Sequence, residues 1–322
     1  MPELPVNREL IEIPASAIPK IKIIDATYTE IDLGLLGLND KLYPHQPPRI
    51  KSQDEHDFEF NETAYKNDIF YKEELVSIDI LGYLRSVRVA RLNIAPVQYN
   101  PVTNTLKVYD KVHFEILFDG ADIQKTLELK KKYASPFFES IYKTLPNHFE
   151  GPSRENFTRY PVKYVIISDR MFEDQLQPLI EWKTKKGFTV VEAYTDQPEV
   201  GTTTSSIKSY IQNLYNAGTP DDPAPSFILF CGDVQQIPAW DNGNGATDRN
   251  YCEFTGDLLP EIFYGRFSAQ NTDQFQPYVD KTIQYEKYTM PDPSYLDEVV
   301  MVAGMDSGHG HDWGNGQINY GT

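Results

Sequence analysis

Three carboxylates carry the most suggestive chemistry in the sequence: Asp233, Asp257 and Glu261, all within the turn-rich stretch Gly232–Ala269. Hard cations take carboxylate and backbone carbonyl oxygens. The run Phe254-Thr-Gly-Asp-Leu-Leu-Pro-Glu261 offers two carboxylates with carbonyls between them on one segment. Calcium is the natural candidate outside the cell. The run does not follow the spacing of the EF-hand loop, and acids solvated in a loop are the plain alternative.

A second group is Asp306 followed by His309, His311 and Asp312. Histidine with aspartate suits a zinc site or an acid–base pair, but His-x-His among glycines also describes an exposed loop. The two cysteines, Cys231 and Cys252, are the only thiols. A nucleophilic thiol needs electropositive surroundings that favour the thiolate. Cys231 closes an apolar run and reads as a core thiol. Cys252 stands beside Glu253, with only Arg249 as a cationic neighbour.

These groups need elements to position them. Phe227-Ile-Leu-Phe-Cys231 is continuously apolar and bounded by Pro225 and Gly232, the mark of a strand buried on both faces. Asp233 then falls at a strand's carboxyl end, where open α/β sheets collect ligands and catalytic groups. Residues 164–167, 188–193 and 298–303 read as further strands. Helical spacing marks 173–186, stopped by Gly187, and also 203–216 and 272–288. Strands alternating with helices imply a parallel sheet covered on both faces by right-handed crossovers. The strand 298–303 runs into Asp306, which puts Asp306 and Asp233 at the same predicted edge.

Before residue 150 the pattern is different. Residues 75–80, 87–94, 105–109 and 112–118 alternate apolar and polar side chains, with a turn at 99–104, so this part reads as mostly β and antiparallel. Residues 126–133 form a basic, helical exit. The polar stretch Gly151-Pro-Ser-Arg-Glu-Asn-Phe-Thr-Arg159 marks a domain boundary, and an exposed arginine there is open to proteolytic nicking. The expected division is 1–155, 160–290 and 291–322.

The length of 322 residues allows two or three compact units. With 40% hydrophobic and 13% aromatic residues the chain is globular. A net charge of −17 disfavours nucleic acid or an anionic membrane surface as a partner. Two cysteines exclude a disulfide framework. No apolar run reaches the length of a membrane span. The start Met1-Pro-Glu-Leu-Pro shows no export signal.

From Tyr164 onward the sequence resembles the gingipain-type cysteine peptidases. The resemblance rests on Tyr164-Val-Ile-Ile-Ser168, Ile180-Glu-Trp-Lys-Thr-Lys-Lys-Gly187, Gly232-Asp-Val-Gln-Gln-Ile-Pro238, Thr247-Asp248, Pro260-Glu-Ile-Phe-Tyr-Gly-Arg-Phe-Ser268 and Asp280-Lys-Thr-Ile-Gln-Tyr-Glu286. Residues from about 6 to 120 are similar to the β-rich inhibitory propeptide of that family. The resemblance implies a caspase-like α/β fold, a parallel-sheet sandwich with helices on both faces preceded by a mostly β prodomain. It also implies a secreted or cell-surface bacterial enzyme that hydrolyses protein or peptide substrates by thiolate attack and an acyl-enzyme. Asp233, Asp257 and Glu261 then match calcium-binding carboxylates, with the carbonyls of Phe254 and Leu259 as companions. Asp306 matches the acid that orients the catalytic histidine. Arg159–Tyr160 resembles the junction where the propeptide is cut. The propeptide is expected to act as an intramolecular inhibitor that covers the carboxyl edge of the sheet until that cut releases it.

Two departures qualify the likeness. The family's catalytic His-Gly pair and nucleophilic cysteine follow the segment Gly314-Asn-Gly-Gln-Ile-Asn-Tyr320, and the sequence stops at Thr322. His309 lies too close to Asp306 to be that histidine, so this fragment is expected to be inactive, with an incomplete N-terminus. Gln317 stands where arginine-specific members place a carboxylate, which leaves primary specificity open. Two other classes stay in view. One is a degenerate peptidase-like module that binds partners or scaffolds secretion. The other is a doubly wound nucleotide or phosphate binder, against which Ser168-Asp-Arg-Met-Phe-Glu173 offers no glycine-rich phosphate cradle.

Overall fold

A computed structural model describes residues 2–46, 58–71, 74–149, 162–241 and 245–300. The part before residue 150 is built from β1 (Asn7–Ile13), β2 (Ile18–Asp32), α1 (Glu62–Lys66), β3 (Val76–Leu84), β4 (Val87–Ile94), β5 (Val97–Asn100), β6 (Thr105–Asp119), α2 (Ile123–Lys132) and α3 (Pro136–Tyr142). Its strands form two antiparallel sheets, in the orders β1-β4-β3 and β2-β6-β5. Period-two alternation gives each sheet one apolar face. Ile11, Ile13, Val76, Ala90 and Leu92 of the first meet Ile21, Val112, Phe114, Ile116 and Phe118 of the second. The expected pair of strands at 105–109 and 112–118 is one long β6. Asp110 is accommodated where the β2–β6 register shifts, between Thr27 and Tyr28.

After residue 161 come β7 (Val162–Ser168), α4 (Glu173–Lys185), β8 (Phe188–Tyr194), α5 (Thr204–Asn216), β9 (Phe227–Cys231), β10 (Trp240–Asp241), β11 (Ala246–Thr247), β12 (Phe263–Phe267) and α6 (Thr272–Lys287). The strands β12-β9-β7-β8 lie in that order in one parallel sheet. Burial on both faces explains the apolar runs Tyr164–Ile167 of β7 and Phe227–Cys231 of β9. α4 and α6 cover one face through Leu176, Leu179, Phe275 and Val279. α5 covers the other through Ile207, Ile211 and Tyr215. The mixed α/β class with helices on both faces, preceded by a mostly β part, is therefore the fold.

Two expectations change. Glu298, Val299 and Val300 form no strand, and both valines are more than three-quarters exposed, at 84% and 80%. Residues 301–322, with Asp306, His309, His311, Asp312 and Gln317, lie outside the described residues, as do Arg159 and Tyr160.

The second change concerns docking. The β-rich part was expected over the carboxyl edge of the parallel sheet, yet its contacts among the described residues fall at the amino edge. Phe137 packs at 4.7 Å between ring centroids on Phe227, the first residue of β9. Phe138 lies 4.2 Å from Phe263, the first residue of β12. The Ser135 and Ser226 hydroxyls are 2.9 Å apart. The reason is chemical. Phe188, Phe227 and Phe263 all begin strands, so the amino edge is an aromatic surface, and Phe137 and Phe138 of α3 remove part of it from water. Phe138 is only 1% exposed, and burying such a side chain is worth about 1.5–3 kcal/mol.

Candidate functional site

The strand order changes direction at β7: β8 lies on one side of it and β9 on the other. A crevice outside the carboxyl ends of two such strands is where open α/β sheets bind ligands. Here those ends carry Ser168 and Cys231, and the Asp169 N–H donates to the Cys231 carbonyl at 3.3 Å. Gly232 follows with φ +137°, and a Cβ there would meet Gln236 Cβ at 2.6 Å. Only glycine fits this turn.

Asp233 comes next, half-buried at the carboxyl edge. Its Oδ1 accepts from Val234 N–H at 2.8 Å and Ser268 Oγ at 2.9 Å, and its Oδ2 accepts from Gln270 Nε2 at 2.8 Å. The Gln270 amide, then the Val234 and Ser268 donors, hold its carboxyl below the usual carboxylate range. Asp233 is thus an ionised group with fixed orientation.

Beside it Arg266, the penultimate residue of β12, holds the edge together. Its Nε and Nη2 donate to Asp248 Oδ2 and Oδ1 at 2.8 and 2.7 Å, a bidentate pair. Its Nη1 donates to the carbonyls of Gly232 and Ile237 at 2.8 and 2.9 Å. One guanidinium therefore fixes the start of the loop after β9 and the far end of the same loop. Sequence reasoning gave this pair no role. The available signal was a charge between Gly265 and Phe267 in a strand bounded by aromatic residues.

Asp257 and Glu261 sit elsewhere. Glu261 precedes β12, whose first residue pairs with the first residue of β9, so both acids belong to the amino edge. Asp233 follows the last residue of β9. Five strand residues at about 3.3 Å each separate the two ends. The expected trio of Asp233, Asp257 and Glu261 is accordingly not brought together. Among the described residues no three His, Cys, Asp or Glu side chains group so as to hold a metal ion.

The acids that do approach one another have donors already. Asp257 Oδ1 accepts from Leu259 N–H at 2.9 Å, and its Oδ2 accepts from Tyr83 N–H at 2.6 Å. Glu261 Oε2 accepts from Phe254 N–H at 2.8 Å, and Oε1 accepts from Thr255 Oγ1 at 3.0 Å. Glu261 is 1% exposed. Burial, opposed only in part by those two hydrogen bonds, pushes its carboxyl up to about 7.

Both cysteines are fully buried, and burial pushes both thiols well above their ordinary range. For Cys252 the carboxylates of Asp248 and Glu261 act in the same direction. Neither has the character of a nucleophile.

The family model described as peptidase family C25 matches residues 157–320, and the model of the C25 propeptide matches residues 1–145. A Lys-gingipain of Porphyromonas gingivalis is 38% identical over 325 residues, covering 99% of this chain and 19% of the relative. Gingipain R2 of the same organism is 24% identical, covering 99% of this chain and 42% of the relative. A solved structure concerned with zymogenic latency of gingipain K from that organism shares 40% identity over 37% of this chain and 66% of its own, with a TM-score of 0.35. The chain spans about a fifth of the length of the Lys-gingipain it matches.

Proposed function

Because this chain belongs to peptidase family C25, the gingipain-type cysteine peptidases, we propose that it is the propeptide and the first part of the catalytic domain of a secreted cysteine endopeptidase. The observation that carries this reading is the succession of the two family matches, 1–145 and 157–320, on two modules that pack against each other. The boundary is assigned to the polar stretch 151–159, with processing at Arg159–Tyr160. Protein or peptide substrates would enter at the carboxyl edge of the sheet, beside Asp233. Asp306 would orient the catalytic histidine, and residues 291–322 would begin the second catalytic subdomain.

The propeptide module is the intramolecular partner. Since it sits at the amino edge, its inhibition is assigned to a role other than covering the carboxyl ends with its described strands. Calcium is proposed only for the acidic loop, with Asp257, Glu261 and the carbonyls of Phe254 and Leu259. Glu261 supports this, because a buried carboxylate whose proton is held to about pH 7 is one that a divalent cation would relieve. The donors already on both acids would have to be exchanged for it. Export is proposed from the family alone. Among the described residues no helix is long and apolar enough to cross a membrane.

The 322-residue chain is proposed to be inactive by itself, since its only two thiols are buried and protonated. The test compares this chain with the complete protein, each cut after Arg159, on peptide substrates with and without a thiol alkylator. Alkylator-sensitive hydrolysis by the complete protein only is the expected result. Hydrolysis by the 322-residue chain would refute its assigned inactivity. A complete protein without hydrolysis would favour the degenerate binding module.

A further inference from the structure

The tip of the β3–β4 hairpin makes a contact that the turn itself does not explain. Arg85 occupies the turn with φ +55°, a conformation that hairpin turns normally give to glycine or asparagine. An arginine held there points to what its side chain touches. That side chain leaves its own module. Nη1 donates to the carbonyls of Pro225 at 2.6 Å and Glu261 at 3.0 Å, and Nη2 donates to the Ala224 carbonyl at 3.1 Å. Nε donates to the Tyr133 carbonyl at 2.7 Å within the N-terminal part. The guanidinium lies 5.5 Å from the ring centroid of Tyr215, and the residue is 3% exposed.

A buried guanidinium is costly unless its donors are met. Here they are met by backbone carbonyls that precede β9 and β12, a socket with fixed geometry in the amino edge. Removing the arginine would leave those carbonyls buried without donors. Close approach two residues before Leu84 reinforces the fit. A Cβ at Gly82, whose φ is +141°, would fall 2.1 Å from Asp257 Oδ2.

We propose that the carbonyls of Ala224, Pro225 and Glu261 form a guanidinium socket for Arg85, and that this socket keeps the N-terminal module bound after the polar linker 151–159 is cut. The proposal rests on the reading of residues 1–149 as a propeptide. It makes linker cleavage and propeptide release two separate events, with Arg85 as the anchor that sets the second.

The test uses the whole chain with a unique protease site placed in the linker. After the cut, the two pieces are diluted and their association is followed by sedimentation. The cut wild-type pieces should sediment together into the submicromolar range. Arg85→Met should raise the dissociation midpoint by at least about thirty-fold, the loss expected of an interface anchor at 1.4 kcal/mol per decade. Arg85→Lys, which keeps the charge but lacks the forked donors, should fall between, and it carries the test if R85M fails to yield folded chain. Arg91→Met, whose guanidinium bonds Asp79 within the same module, should match wild type. Wild-type pieces that separate at micromolar concentration, or R85M or R85K pieces with the wild-type midpoint, would overturn the proposal. The readout is association. Absent peptidase activity in the complete protein would leave it standing, and its failure would leave the peptidase reading untouched.

Discussion

The backbone N–H of Tyr83 donates to Asp257 Oδ2 at 2.6 Å, across the boundary between the two modules. A residue singled out for cation binding thus serves as an acceptor for the propeptide. The approach is possible only because Gly82 has no side chain. Gly82→Ala is expected to destabilise the chain by about 1–3 kcal/mol through the clash and the positive φ. Urea unfolding of G82A, D257G and the double variant measures it. The cost of G82A should shrink in the D257G background, where the clashing atoms are gone. An unchanged cost would show that the backbone conformation alone is responsible.

Glu261 sets a pH dependence with a definite sign. Its folded carboxyl titrates at about 7, above the ordinary glutamate value of about 4.3. The folded chain therefore binds the proton more tightly than the unfolded chain. The associated stability is full below the unfolded pKa and is lost as pH rises towards 7, up to about 4 kcal/mol. Glu261→Gln should be more stable than wild type at pH 8 and equal to it near pH 4. Denaturant melts across that range in chelator decide it, and equal stability at pH 8 contradicts the assignment.

Calcium should reverse that loss if the acidic loop takes it. A ligand specific to the folded state adds about 2.7 kcal/mol at a hundred times its Kd. The melting temperature at pH 8 should rise with calcium in wild type and stay flat in E261Q. Asp233→Asn should respond like wild type, because Asp233 stands at the other edge of the sheet. A flat wild-type response through the millimolar range removes the metal from the molecule's account.

How far the sequence led depends on which interactions are local. β9 was legible in full because an unbroken apolar run between Pro225 and Gly232 admits little else. α4 and α5 were legible from helical spacing, and α4 also from Gly187 just past its end. β2 went unread because most of its fifteen residues face water, leaving a weak apolar pattern. The proposed strand at 298–303 failed over its first three residues, where two valines stand exposed. The acidic trio failed for a topological reason. Residues 233 and 261 are near in sequence, but a parallel strand pair puts the end of one beside the end of the other, so Asp233 and Glu261 lie at opposite edges. Arg85 was beyond reach because its partners in the other module lie 139–176 positions away, a relationship only the docked modules create.

The Arg266–Asp248 pair predicts a large mutational effect at the carboxyl edge. Their side chains are 12% and 14% exposed, so removing one partner leaves a poorly solvated charge. Arg266→Met or Asp248→Ala should each cost about 3–5 kcal/mol. The R266M/D248L double variant should recover part of that loss, because apolar packing replaces a buried pair at little cost. Double-mutant unfolding measures the coupling. A double variant as unstable as the sum of the singles would mean that the carbonyl bonds to Gly232 and Ile237, and not the ion pair, are what Arg266 contributes.

The two thiols give the most direct check on the chemistry assigned to this chain. Cys231 ends β9 between the α4 and α6 helices and the sheet, and Cys252 packs in the core on the α5 side. Both are without exposed surface, and burial disfavours the thiolate in each. A reagent that reacts with thiolates needs both access and ionisation. The folded chain should take up no label at pH 8 over a period in which the urea-unfolded chain labels both sites, and mass spectrometry of the peptides identifies them. Labelling of the folded state should follow global opening, so its rate should rise with urea in step with unfolding. Rapid labelling of Cys252 in the folded chain would make it a reactive thiol beside Asp248 and would overturn the buried, protonated state assigned to it.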